Sequence, residues 1–200
     1  MTNSSYTHIT VVVDRSGSMD SIREDAEGGL RTFLADQRAQ DGTLTTSVVQ
    51  FDDEYDEVAR MATADPLRHW HLEPRGMTAL LDALGRAITS TGEDLARLPE
   101  HERPGRVFVV VVTDGQENSS REWTREQVFN AIRRQSKQYG WTFVYTAAGQ
   151  DAVAVGRSMG IDHSANFAAT PDGVSGNYSS LSTSLSAARS GRGFRLENPS

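Results

Sequence analysis

Short apolar runs that alternate with amphipathic stretches constrain the fold of this chain most. Residues 9–13 and 107–112 are almost wholly β-branched or aromatic, which is typical of strands buried on both faces of a parallel sheet. Residues 44–51 and 141–146 indicate two further strands, with helical stretches between them. This order predicts a doubly wound α/β fold, in which helices cover both faces of a mostly parallel, six-stranded sheet.

One connection predicts an antiparallel edge strand. Only three residues, Asp52, Asp53 and Glu54, separate the strand at 44–51 from a second extended stretch at 55–61. A parallel crossover needs a dozen or more residues. The stretch at 55–61 is therefore expected to return antiparallel at one edge of the sheet, and the three acidic residues are interpreted as a polar turn.

Three amphipathic helices are predicted between the strands. Ser21 and Glu24 have the spacing of a capping box ahead of the first helix, and the second helix follows Thr78. The third spans about 124–139, and the helical period places Phe129 on its inward face.

The last predicted helix, about 172–189, has a narrow apolar stripe on a serine-rich background. The stripe consists of Val174, Tyr178, Leu181, Leu185 and Ala188. A stripe this narrow predicts weak docking against the rest of the molecule. The 190–200 segment is expected to be a frayed polar tail. The chain is thus interpreted as one domain over 1–200, with its core at about 6–189.

Composition excludes several classes of protein. The chain has 20 basic and 27 acidic residues, a net charge of −7, which argues against nucleic acid as a partner. It has no cysteine, so disulfides, thiol nucleophiles and cysteine metal sites are excluded. No apolar run approaches the length of a membrane span, and the first residues do not resemble a signal peptide. We therefore expect a cytoplasmic protein with no membrane partner.

Oxygen-bearing side chains follow the predicted strands where they end. Asp14 comes directly after the first strand, with Ser16 and Ser18 behind it, and Asp114 follows the strand at 107–112. Thr78 lies just before a helix and can join them. Ligands of open parallel sheets bind at this carboxyl edge. Two neighbouring aspartates repel each other unless a cation lies between them, and an all-oxygen ligand set favours Mg²⁺, Mn²⁺ or Ca²⁺ over zinc.

Here the sequence resembles the von Willebrand factor A domain family. The stretch from Asp14 to Ser18 matches the Asp-x-Ser-x-Ser element of that family, Thr78 matches its lone threonine, and Asp114 matches its final aspartate. All five positions of the family's metal-ion-dependent adhesion site are present in order. The resemblance covers about residues 6–189 and is strongest to the small stand-alone A-domain proteins of bacteria and their phages.

The resemblance implies a binding role and not an enzymatic one. Ser16 and Ser18 would bind the metal directly, Thr78 directly or through water, and Asp14 and Asp114 mainly through water. Neutral hydroxyls leave the cation under-neutralised, so it attracts an Asp or Glu side chain of a partner protein. Relatives of this kind often serve as adaptors in multiprotein assemblies, some beside AAA+ ATPases or in stress-response systems.

Two other readings stay open. A magnesium-dependent phosphatase-like hydrolase would use Asp14 as nucleophile, but it needs a second aspartate at position 16 and a downstream lysine; position 16 is serine, and Lys137 is the only lysine. A purely structural subunit would leave the site empty.

Glu117 and Asn118 either border the metal site and select partners or are simply polar surface residues.

Overall fold

The sheet has the predicted architecture. The computed structural model describes residues 1–196. The strands are β1 (Asn3–Asp14), β2 (Thr43–Phe51), β3 (Tyr55–Ala62), β4 (Pro104–Thr113), β5 (Thr142–Ala148) and β6 (His163–Phe167). They form one sheet in the order β3-β2-β1-β4-β5-β6. All neighbouring pairs are parallel except β2 and β3. The predicted mixed sheet with one antiparallel edge strand is confirmed.

Helices cover both faces of this sheet. They are α1 (Arg23–Arg38), α2 (Leu80–Arg97), α3 (Arg125–Tyr139), α4 (Ala152–Ser158) and α5 (Pro171–Arg189). The apolar side chains of α1 and α5 pack on one face, and those of α2, α3 and α4 pack on the other. No helix within residues 1–196 combines the length and the apolar character that crossing a bilayer requires.

The two central strands, β1 and β4, contribute apolar side chains to the core on each face of the sheet. Because successive side chains of a strand point to opposite faces, Val11 and Val13 of β1 face α1 and α5, whereas Val12 faces α2 and α3. The valines of β4 alternate in the same way. Burial on both sides is the reason that these strands are continuous apolar runs in the sequence.

The predicted start of the first helix is wrong. A short 3-10 helix, Gly17–Ile22, leads directly into α1, whose first turn has no side-chain cap. Ser21 already lies inside this helical turn, and an N-cap residue needs an extended backbone, so Ser21 and Glu24 form no capping box. Thr124 and Gln127, by contrast, form a complete capping box at α3.

The inward position predicted for Phe129 is also wrong. Its side chain is 38% exposed, whereas Val128 and Ile132 of the same helix are fully buried. The Phe129 ring lies over Gly160, where an added Cβ would come within 3.1 Å of it. Phe129 therefore covers the turn after α4 instead of entering the core under α3.

The last helix is held more firmly than its narrow stripe predicts. Polar residues of α5 are buried as well, among them Asn177 and Ser182. The Gln37 side-chain amide of α1 donates a hydrogen bond to the Ser182 carbonyl at 3.2 Å. Tyr178 packs so closely on Gly29 that an added Cβ there would lie 2.2 Å from its ring. The helix thus uses side-chain hydrogen bonds and a close approach to α1, in addition to its apolar stripe.

The expected polar tail does not lie wholly free of the core. Phe194 lies 6.0 Å from Phe108 of β4, measured between ring centroids. The Ser184 hydroxyl donates a hydrogen bond to the Arg195 carbonyl at 2.8 Å. Residues 190–196 therefore pack back onto α5 and the sheet, and the rest of the expected tail, 197–200, lies outside the described residues.

Acid is expected to destabilise the protein through His8 of β1. The His8 ring is fully buried between the hydroxyls of Thr45 and Thr10, and burial lowers the pKa of His8 to about 4, although Asp94 opposes this shift. Between pH 6.5 and 4 the unfolded chain binds the proton and the folded chain does not, so stability falls as pH falls. The contribution is up to about 3 kcal/mol.

Urea unfolding at several pH values between 7 and 4.5 measures this effect. We expect the His8→Gln variant to lose less stability than the natural protein over this range. His101→Gln, a change at an exposed histidine, is the control and should keep the natural slope. Equal slopes for all three proteins would contradict the assignment of this acid sensitivity to His8.

Candidate metal centre

The candidate site begins where the two central strands end side by side. In the parallel pairing of β1 with β4, Val13 lies opposite Val112, so Asp14 and Thr113 leave the sheet as neighbours. The Thr113 hydroxyl donates a hydrogen bond to the Asp14 carboxylate. The Ser16 backbone N–H donates to the other oxygen of the same carboxylate at 2.6 Å. Asp14 is fully buried, and its position is therefore set from both strands.

Three of the predicted site oxygens converge on one point. A Cβ added to Gly115 would lie 2.6 Å from Thr78 Oγ1, 3.1 Å from Asp14 Oδ2 and 3.2 Å from Ser16 Oγ. These oxygens come from two segments, the end of β1 with the loop behind it and the loop before α2, and Gly115 lies in a third, the loop after β4. Gly115 has no side chain, and this leaves the space between them open.

The other two predicted residues join the same cluster. The Ser18 hydroxyl donates to Asp114 Oδ1 at 2.7 Å and lies 3.1 Å from the Ser16 hydroxyl. All five residues singled out from the sequence are therefore brought together. Within residues 1–196, no three His, Asp or Glu side chains form a metal-binding group. This cluster contains only two carboxylates, and its other oxygens belong to hydroxyls.

Burial makes the two carboxylates costly to ionise. Burial raises the pKa of Asp14 to about 6, although hydrogen bonds from Thr113 and Ser16 oppose the shift and the charge of Asp114 adds to it. Burial also raises the pKa of Asp114, with the hydrogen bond from Ser18 opposing. Among residues 1–196, only neutral hydroxyl and amide groups bond to these carboxylates. A positive charge in the cluster would therefore stabilise both ionised aspartates.

The neighbouring arginines are held away from this cluster by Asp52. The buried Arg15 donates through Nε to the Asp52 carboxylate at 3.0 Å and also pairs with Asp56. Arg75 donates to the same Asp52 oxygen at 2.8 Å. Although burial opposes it, hydrogen bonds from the Glu54 N–H, Arg15 and Arg75 hold the pKa of Asp52 below its usual value. The guanidinium charges are thus paired next to the cluster and not inside it.

The same group ties the loop before α2 to the rest of the site. The Arg75 N–H donates to the Arg15 carbonyl at 2.8 Å, and the Ala79 N–H donates to the Asp52 carbonyl at 2.8 Å. These bonds lie on either side of Thr78. The interpretation of Asp52 as part of a polar turn missed this role: the turn exists, but Asp52 is only 1% exposed. Nothing in the sequence pairs Asp52 with arginines that lie 37 and 23 positions away.

Asn118 and Glu117 hold the other side of the Thr78 loop. The Asn118 side-chain oxygen accepts from the Thr78 N–H at 2.9 Å, and the Asn118 N–H donates to the Thr78 carbonyl at 3.0 Å. Glu117 accepts from the Leu81 N–H at 3.0 Å, in the first turn of α2. Both residues lie beside the site, where they position Thr78 and the start of α2.

Gln150 is a further residue that the sequence did not single out. It lies in the loop after β5, and its side-chain amide donates to the Gly115 carbonyl at 2.7 Å and to the Tyr145 hydroxyl at 3.0 Å. Gln150 thereby secures the loop that carries Asp114. A single glutamine in a loop has no sequence signal that distinguishes this role from exposure to solvent.

The comparisons with known proteins give structural matches alone. No family model and no curated protein matches the chain. Among solved structures, it is similar to the von Willebrand factor type A protein from Catenulispora acidiphila, with a TM-score of 0.60, 16% identity and coverage of 91% of this chain and 43% of that one. It is also similar to proximal thread matrix protein 1 of the mussel byssus, which was solved with a zinc-occupied adhesion-site motif. Here the TM-score is 0.60 and the identity 14%, with coverage of 90% of this chain and 46% of that one.

A third match covers both chains almost fully. It is the von Willebrand factor domain of the type V pili tip protein Mfa5 from Porphyromonas gingivalis, with a TM-score of 0.64, 9% identity and coverage of 91% of this chain and 95% of that domain. The chain spans less than half of the two longer proteins. At these identities the likeness concerns the fold, and the chain has the α/β fold of von Willebrand factor A domains.

Proposed function

We propose that this protein is a metal-dependent protein-binding module and not an enzyme. A divalent cation, Mg²⁺ or alternatively Mn²⁺ or Ca²⁺, would be held by Asp14, Ser16, Ser18, Thr78 and Asp114. The observation that carries the proposal is the convergence of oxygens of Asp14, Ser16 and Thr78 on the open space at Gly115. Carboxylate and hydroxyl oxygens are the donors that hard divalent cations prefer, so the residues present fit such an ion.

The chemistry of the cluster suggests what completes the cation's coordination. With three neutral hydroxyls among the five donors, the protein offsets little of the ion's charge beyond the two carboxylates. The paired arginines beside the cluster supply no free positive charge that would compete with the ion. We propose that an Asp or Glu side chain of a partner protein binds the cation from outside. The zinc-occupied motif of the mussel protein supports metal binding by this fold.

We further propose that the chain acts as an adaptor in an intracellular multiprotein assembly. The support is the resemblance to small bacterial A-domain proteins, some of which act beside AAA+ ATPases or in stress responses. Binding through one acidic side chain suits such a role, because it makes association depend on the metal as well as on the partner.

The hydrolase alternative has less support from the site. Position 16 is a serine whose hydroxyl contacts Ser18, so no carboxylate stands there to act as acid or base. Lys137 is exposed near the end of α3, which runs away from the carboxyl edge of the sheet. Magnesium-dependent hydrolysis of p-nitrophenyl phosphate that Asp14→Asn abolishes would overturn the binding proposal.

Metal binding and carboxylate binding can be measured separately. We expect Mn²⁺ to bind one site per chain, followed by electron paramagnetic resonance, and Ser16→Ala to weaken it by at least tenfold. With Mg²⁺ present, we expect immobilised peptides that carry one Glu to retain the protein, and matched Gln peptides not to retain it. Ser175→Ala changes an exposed serine of α5 and is the control for Ser16→Ala; it should bind Mn²⁺ as the natural protein does. Equal retention in EDTA would count against the proposal.

Asp14→Asn is expected to have opposite effects with and without metal. Without metal at pH 7, the variant removes a buried charge whose folded pKa is raised to about 6. We therefore expect it to be more stable than the natural protein by about 1–3 kcal/mol. The natural protein loses this amount as pH rises from about 4 to 6, because only its folded state still binds the proton. Thermal melts of the natural protein and the variant, in EDTA and in millimolar Mg²⁺, measure the effect of Asp14→Asn without and with metal.

Magnesium should stabilise the natural protein but not the Asp14→Asn variant. Asp20→Asn removes an exposed aspartate close by in the chain and should respond to Mg²⁺ as the natural protein does. An Asp14→Asn variant that is less stable in EDTA would show that the carboxylate is needed by the fold itself.

Gly115→Ala tests the open space directly. Its methyl group would lie 2.6 Å from Thr78 Oγ1, so Thr78 must turn away and the methyl group takes the space between the oxygens. We expect Mn²⁺ affinity to fall by more than tenfold while the melting temperature in EDTA changes little. Gly17→Ala is the matched control, since its Cβ would make only an ordinary contact at 3.8 Å. Natural Mn²⁺ affinity in Gly115→Ala would show that the cation does not bind there.

A further inference from the structure

A groove between α2 and α3 lies at the opposite edge of the sheet from the metal centre. Its volume is about 810 Å³, which is within the range of small-molecule pockets. Thr2, Arg103 and Pro104 border it at the amino ends of β1 and β4. The candidate metal ligands lie at the carboxyl ends of the same strands, so the groove is separate from that site.

The inner surface of the groove is apolar and aromatic. Ile88, Leu95 and Val107 line it from the core, and Trp123 and Trp141 contribute indole rings. Both rings are fixed in place. Trp123 packs on α2 so closely that an added Cβ at Gly85 would lie 2.1 Å from it, and Trp141 stacks on Phe143 with ring centroids 6.1 Å apart. Rigid aromatic walls lose little entropy when a flat ring packs against them.

Gly92 of α2 leaves space beside the ring edge of Trp141, most of which is buried in the core. It lines the groove, and a Cβ there would lie 4.0 Å from the Trp141 ring and 3.7 Å from the Gln135 amide. A methyl group would therefore fit without a clash, and a longer side chain would extend into the groove. A glycine in the middle of a helix costs stability relative to alanine, and here its absent side chain is what leaves space beside Trp141.

The groove carries positive charge that its acidic residues do not offset. Arg134 of α3 is exposed, and no carboxylate within residues 1–196 pairs with it; its Nε contacts only the Gln138 side chain, at 3.4 Å. Arg103, the other arginine of the groove, donates to the carbonyls that end α2, which fixes its position but does not neutralise its charge. The two acidic lining residues are paired, Glu100 with the amino terminus and Glu93 with Arg97. The uncompensated charge at the groove is therefore positive.

We infer that this groove is a binding site for a small planar aromatic anion. The ring system would pack against Trp123 and Trp141 in the space left by Gly92, and its carboxylate would accept hydrogen bonds from Arg134. Gln135 and Gln138, also on α3 and lining the groove, offer amide donors beside that guanidinium. The inference does not rest on the proposed function, because none of these residues belongs to the metal centre.

Titration with 1-naphthoate tests the inference. We expect saturable binding of one naphthoate per chain by calorimetry, with shifts of the two tryptophan indole N–H resonances in NMR spectra. Neutral 1-naphthalenemethanol and flexible laurate, at the same concentration, should bind at least tenfold more weakly. Tighter binding of laurate would show that the groove takes an aliphatic chain, and equal binding of the alcohol would show that the anion is not recognised; either result overturns the inference.

Two variants and their controls locate the bound anion. Gly92→Leu should abolish naphthoate binding by filling the groove, while Gly28→Leu, at an exposed glycine in the interior of α1, should leave it unchanged. Arg134→Gln should weaken binding by about tenfold, the usual effect of losing one charge-assisted hydrogen bond. Lys137→Gln on the same helix should not. Thermal melts check that every variant is folded, and unaltered binding in Gly92→Leu would refute the site.

Discussion

The parallel pairing of β1 with β4 is the constraint on which the rest of the site depends. Both strands are buried on both faces, and their register places Val13 opposite Val112. The residues that follow, Asp14 and Thr113, must therefore leave the sheet side by side. The apolar packing of the strands thereby places a carboxylate in a position that is unfavourable for a charge. The hydroxyls around it compensate only in part, since its pKa remains raised.

Irregular segments supply the other side of the site, and they are held by ionic and polar contacts. Arg15, Asp52 and Arg75 connect three loops, and Asp52 is almost fully buried among them. Earlier in the loop before α2, the carbonyls of Leu67 and Trp70 accept hydrogen bonds from Arg31 of α1. Breaking a buried ion pair by removing one partner costs several kcal/mol. The loop that carries Thr78 can therefore keep its position without regular secondary structure of its own.

The two ends of the sheet differ in chemistry because of the direction of the strands. At the carboxyl edge, Asp, Ser and Thr side chains gather oxygens around the open space at Gly115. At the amino edge, the end of α2 and the face of α3 leave an aromatic groove with an exposed, unpaired arginine on α3. α2 spans the distance between them, beginning beside Thr78 and ending beside Arg103. The cation that we propose would bind at the first end, and the aromatic anion that we infer would bind at the second.

The sequence by itself determined the class of fold, the edge strand and the five residues of the candidate site. These follow from local information: runs buried on both faces, a connection too short for a crossover, and oxygen side chains directly after strands. Only the tertiary structure decided the partners of Asp52, the supporting roles of Asn118 and Gln150, and the outward position of Phe129. These depend on contacts between residues distant in the chain, and a polar or aromatic side chain has the same local pattern whether such a contact forms or not.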